Sequence, residues 1–161
     1  MRRTAPALAA LAAVLAAAGA GFGAFQLADG HRAGHPQISV YSHGNLVRVG
    51  PYEYCDVLDL NDCQRPETLG VLAVTPRDPV QLAVPAAISR APWVLHLAFE
   101  DGDLSAQFQP GTRLAVTIDT VDARRGRLTG IVVQLPTLAR FPDGSEGMLP
   151  HAEWSVATVW S

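Results

Sequence analysis

Residues 7–25 form an unbroken run of Ala, Leu, Val, Gly and Phe, nineteen positions without a charge or a hydrogen-bonding side chain. A run that greasy cannot be spread over the surface of a small domain. As a helix rising about 1.5 Å per residue it nearly matches the hydrocarbon thickness of a bilayer. Arg2 and Arg3 precede it, and cationic flanks stay on the cytoplasmic side, so the chain beyond Phe25 is expected outside. Residues 1–28 are therefore read as a signal or membrane-anchor helix. The apolar core is longer than the 7–15 residues usual in cleavable signals, which favours a retained single-pass anchor over a secreted product. Ala18 and Ala20 nevertheless offer small residues to a peptidase. No cysteine lies near the end of the run, which excludes lipid modification there. Gly19 and Gly23 make a small-xxx-small pair, a pattern that so Gly- and Ala-rich a stretch produces by composition alone.

With 161 residues in all, the chain beyond this run has room for one domain. The 48% hydrophobic content is inflated by the N-terminal run, and the remainder has the composition of an ordinary globular chain. Beyond that run ten arginines face fifteen acids, a balance of −5. This weak acidity gives no electrostatic footprint for nucleic acid.

Residues 29–36 hold two glycines, two histidines and a proline with no apolar period, the pattern of a stalk. The folded domain is expected over 37–161. Ile38, Val40 and Ser42 alternate up to His43-Gly44-Asn45, after which Leu46 to Val49 returns, a hairpin signal. Trp93, Leu95, Leu97 and Phe99 point one way, with His96 and Glu100 the other, as in a half-buried strand. Leu114, Val116 and Ile118 repeat the pattern, and a turn over 122–126 leads into 128–134. With 69–74, 80–84 and 154–160 added there are about eight short strands at sandwich-like spacing, and no amphipathic helix of three turns. An all-β, immunoglobulin-like antiparallel sandwich is the expected fold, with a closed barrel second.

Cys55 and Cys63 are the only cysteines, and an even pair in an exported domain reads as a disulfide. The seven-residue spacer lacks the C-x-x-C geometry of redox pairs, and four ligands at zinc-type spacing are missing. Within the spacer Asp56, Asp59, Asn61 and Asp62 offer oxygen ligands to a hard cation, but without the glycine turn and distal Glu of an EF-hand. No metal and no cofactor is expected.

No nucleophile elbow, S-x-x-K, H-E-x-x-H or glycine-rich phosphate loop occurs. His31 and His35 are spaced as helical ligands, yet Gly30, Gly34 and Pro36 oppose a helix there. His96 is placed on the outward face of its strand and His151 beside Pro150, while Ser89, Ser105 and Ser145 have no neighbouring base in sequence. No catalytic residue is assigned. Residues 136–150 read as a long connection, and long connections in compact domains are binding elements, or cover a sheet edge. In the first role Arg140, Phe141 and Met148 are the partner-binding candidates.

The segments VRVGPYEYCDVLDLNDC from Val47, VQLAVPAAISRAPW from Val80 and the final AEWSVATVW together resemble an uncharacterised family of exported actinobacterial proteins, a domain of unknown function. The likeness spans most of the chain after the stalk. Its most specific elements are the cysteine pair with its acidic spacer, Pro92-Trp93 and the Trp154 strand. The resemblance implies a cell-envelope location and a single N-terminal anchor or signal, and carries no catalytic residues. The expected function is thus that of a non-enzymatic envelope module. It would be held in the membrane through residues 7–25 and contact an envelope protein, wall polymer or lipid. An extracytoplasmic enzyme with a site assembled from distant residues is the alternative.

Overall fold

The structure is a computed structural model, and it describes residues 34–161. The apolar run, most of the stalk and His31 lie outside the described residues. Among the described residues no helix is long and apolar enough to cross a membrane. Pro36–Ser161 forms one compact unit.

The unit is an all-β sandwich. One sheet has four strands in the order β2 (Asn45–Val49), β1 (Ile38–Ser42), β6 (Val80–Ala83), β9 (Ala115–Ile118). The larger sheet runs β4 (Cys63–Gln64), β3 (Glu53–Cys55), β12 (Glu146–Trp160), β11 (Gly126–Arg140), β7 (Trp93–Phe99), β8 (Gly102–Phe108). Two further strands join it: β10 (Val121–Asp122) pairs with β11, and β5 (Leu69–Val74) lies parallel to β12. The helix α1 is a single turn, Ala86–Ser89.

Alternation decides which side chains meet between the sheets. Trp93, Leu95, Leu97 and Phe99 are all buried, while Val94, His96 and Ala98 between them are half-buried on the outer face. Ile38, Val40, Val80 and Leu82 answer from the smaller sheet, and Leu72, Leu128, Ile131, Val133 and Trp154 complete the core. Burying each large apolar side chain contributes about 1.5–3 kcal/mol, which is the main force closing the sandwich. The β1–β2 turn falls on His43 and Gly44 at φ 45° and 80°, the doubly left-handed conformation that a two-residue hairpin requires. At Gly70 the sheets approach so closely that an added Cβ would stand 2.5 Å from Val49 Cγ2.

Residues 136–150, expected as an irregular connection, are instead mostly strand. Residues 136–140 pair with 146–150 as an arm that prolongs β11 and β12, closed by a turn over 141–145. Two prolines at its root hid this from the sequence. Pro136 and Pro150 oppose one another where β11 and β12 have only each other as neighbours, and a missing N–H is tolerated on such an outer edge.

Candidate functional site

The arm rises beside the outer face of β7 and β8, and between them lies a cleft of about 290 Å3. His96, Gln107 and Gln134 make its polar corner, and Val94, Phe108, Pro136, Met148 and Pro150 supply apolar walls. Phe108 stacks on Trp93 with ring centroids 4.2 Å apart. Trp93 also lines the cleft, and its indole N–H is the one buried side-chain polar group without a partner among the described residues. No Asp, Glu, Lys or Arg side chain of the described residues lines this cleft.

Register sets the polar corner. His96 stands opposite Ser105, and Gln134 stands opposite Glu153. A carboxylate only accepts, so Gln134 presents its amide nitrogen to Glu153 Oε2 at 2.8 Å and its carbonyl oxygen to His96 Nε2 at 3.1 Å. His96 Nε2 must then carry hydrogen, and Nδ1 lies 2.7 Å from the Ser105 hydroxyl, accepting from it in the Nε2–H tautomer. Ser155 Oγ adds a donor to Glu153 Oε1 at 3.0 Å. The result is an ordered line from Ser105 through His96 and Gln134 to Glu153 across four strands. Sequence reading placed His96 on the outer face but left Ser105 without a base. The pairing is set by a two-residue turn at Glu100 and Asp101, one position before the Asp101-Gly102 dipeptide, which as the turn would have set His96 opposite Gln107.

The arm's orientation depends on one extra residue. Leu135 faces Ala152 and Pro136 faces Pro150, so His151 is a β-bulge. It is buried, with Nδ1 3.4 Å from the Cys55 carbonyl oxygen and its ring edge-on to Tyr54. Beyond the bulge Met148 pairs with Leu138 and Glu146 with Arg140, on the face that continues Gln134 and Pro136. Met148 is 59% and Leu138 62% exposed, and both are large apolar groups.

The three sequence candidates are thus separated. Met148 lines the cleft. Arg140 lies at the far end, its guanidinium 2.7 Å from Glu146 Oε1 in an exposed ion pair. Phe141 turns to the opposite face, where its ring covers Gly147; a Cβ there would lie 2.8 Å from Phe141 Cε2. In the turn, the Ser145 hydroxyl donates to Asp143 at 2.6 Å and, with the Ser145 N–H, holds that carboxyl below its ordinary range.

Cys55 and Cys63 are joined as a disulfide directly across β3 and β4. In the loop they close, Asp56 Oδ1 accepts from Leu58 N and Asp59 Oδ1 from Asn61 N, so both carboxylates bond the loop's own backbone. The group of potential metal-binding atoms among the described residues comprises Glu53 and the two bridged cysteines, whose sulfurs are held in the disulfide. Ser89 is buried within α1, and the Ser145 hydroxyl is bonded to Asp143.

Residues 31–159 match the model of the family described as Protein of unknown function (DUF2771). Uncharacterized proteins of two Mycobacterium tuberculosis strains and of Mycobacterium bovis are each 52% identical over 99% of this chain and 100% of their own length. No solved structure matches. The family match falls on the β-sandwich and on the cleft, arm and disulfide built upon it, and the chain belongs to the DUF2771 family.

Proposed function

We propose that the protein is an exported cell-envelope module, non-enzymatic, that docks a ligand or partner in the cleft between the arm and the β7–β8 face. Export rests on Arg2, Arg3 and the apolar run 7–25, whose length suits a single membrane span with the sandwich outside. A disulfide-stapled domain fits an oxidising compartment. The observation that carries docking is the juxtaposition of exposed Leu138 and Met148 with a cleft of about 290 Å3, near the lower end of the size usual for ligand sites. Large exposed apolar groups gathered at a concavity mark contact surfaces. Two measurements test this reading. A photo-crosslinking amino acid at position 148, in intact cells, captures a defined envelope component, whereas the same group at position 46 on the smaller sheet does not. Full-length protein recovered from the cytosol with reduced thiols would overturn the export half.

The line from Ser105 to Glu153 favours a second reading, an extracytoplasmic enzyme whose site is assembled from distant residues. A hydroxyl donating to an imidazole that is itself oriented by an acceptor is the arrangement that activates a nucleophile. A fluorophosphonate probe then labels Ser105 in the intact protein and not in His96→Ala. Absence of label leaves the docking reading alone.

A further inference from the structure

We propose that the cleft holds an uncharged amphiphile, its polar group at the His96–Gln107–Gln134 corner and its apolar part along Pro136, Pro150 and Met148 toward Leu138. This rests on the docking reading above and specifies its ligand.

The first ground is charge. No Asp, Glu, Lys or Arg side chain of the described residues lines the cleft, so a charged headgroup entering it would lose water without gaining a carboxylate, ammonium or guanidinium as counter-charge. The second is the hydrogen-bonding inventory at the corner. His96 is committed at both nitrogens and Gln134 at one N–H and its carbonyl oxygen, which leaves a second Gln134 N–H and the exposed Gln107 amide facing a ligand. Such a set suits a hydroxyl, ester or amide group. The third is direction. The cross-strand pairs Pro136–Pro150 and Leu138–Met148 succeed one another outward from Gln134 on one face, an apolar track that begins where the polar corner ends.

The test uses the full-length chain in phosphatidylcholine nanodiscs and three photoactivatable probes with one decyl chain, ending in a hydroxyl, a carboxylate or a trimethylammonium group. The hydroxyl probe is expected to label residues 136–150 about tenfold more than either charged probe, after normalisation to labelling of the nanodisc lipid. Met148→Asp and Gln107→Leu, both at exposed positions, each lower that labelling about fivefold without moving the melting temperature. Equal labelling by all three probes, or labelling indifferent to both substitutions, overturns the proposal. If that happens while position 148 still captures its component in cells, the ligand assignment alone has failed. Loss of both results removes the docking reading as well.

Discussion

Trp93 and Trp154 offer a paired measurement in which most of the energetics cancels. Both are fully buried in one core, so replacing either with Phe removes the same indole volume. They differ in their N–H groups. Trp154 Nε1 donates to the Pro36 carbonyl oxygen at 2.8 Å, and Trp93 Nε1 has no acceptor. Trp154→Phe therefore loses a bond worth about 1 kcal/mol net, whereas Trp93→Phe removes an unsatisfied donor whose burial costs about 1–3 kcal/mol. The expected gap is about 2–4 kcal/mol, with Trp154→Phe the less stable. For a domain of this size that corresponds to roughly 8–16 °C in melting temperature at about 4 °C per kcal/mol. Thermal unfolding followed by circular dichroism, on full-length proteins in identical nanodiscs, reads the difference directly. If Trp93→Phe is the more damaging, its N–H has an acceptor in the free protein and the reasoning from an orphaned donor fails.

Gly70→Ala drives a methyl against Val49 and should cost about 1–3 kcal/mol, measured by denaturant unfolding. Cys55→Ser with Cys63→Ser removes a crosslink spanning 8 residues and should cost about 2.5 kcal/mol on loop entropy, a loss that reductant reproduces in the parent protein. The Thr75 hydroxyl, with His43 second, holds the Asp78 carboxyl below its ordinary range. The group therefore stabilises the fold above that range, and its contribution is lost as pH falls from there through the lowered folded-state pKa, so Thr75→Ala should flatten the acid limb of melting temperature against pH. Phe141→Ala trims a side chain 37% exposed at the arm's end and should move stability by under about 1 kcal/mol; a larger loss would show that the fold depends on the ring's cover over Gly147.

Where apolar alternation was strict, the strands could be read without the structure. Ile38 to Val49 and Trp93 to Phe99 are hairpin and half-buried strand as the pattern indicates, because one face of each is buried and the pleat repeats every two residues. β8 escaped notice because it is an edge strand, with only Ala106 and Phe108 even partly covered, so burial writes no period into it. Ser105 rides on that strand, and its partnership with His96 stayed hidden for the same reason. The arm was missed because its residues pair without entering the core. The bulge also defeats simple counting: from Trp154, strict alternation assigns Met148 inward, and the extra residue at His151 turns it outward. The parallel union of β5 with β12 joins segments too far apart in sequence for any local signal.

His151 also divides labour between the two halves of the long hairpin. Because the irregularity sits where the arm leaves the sandwich, the body fixes which way the projection faces, and the number of rungs beyond it fixes how far it reaches. Taking out Arg140 together with Glu146, one rung, would bring the tip closer while Leu138 and Met148 kept their aspect. Trimming or extending this projection by matched pairs would change its reach and leave the sandwich as it is.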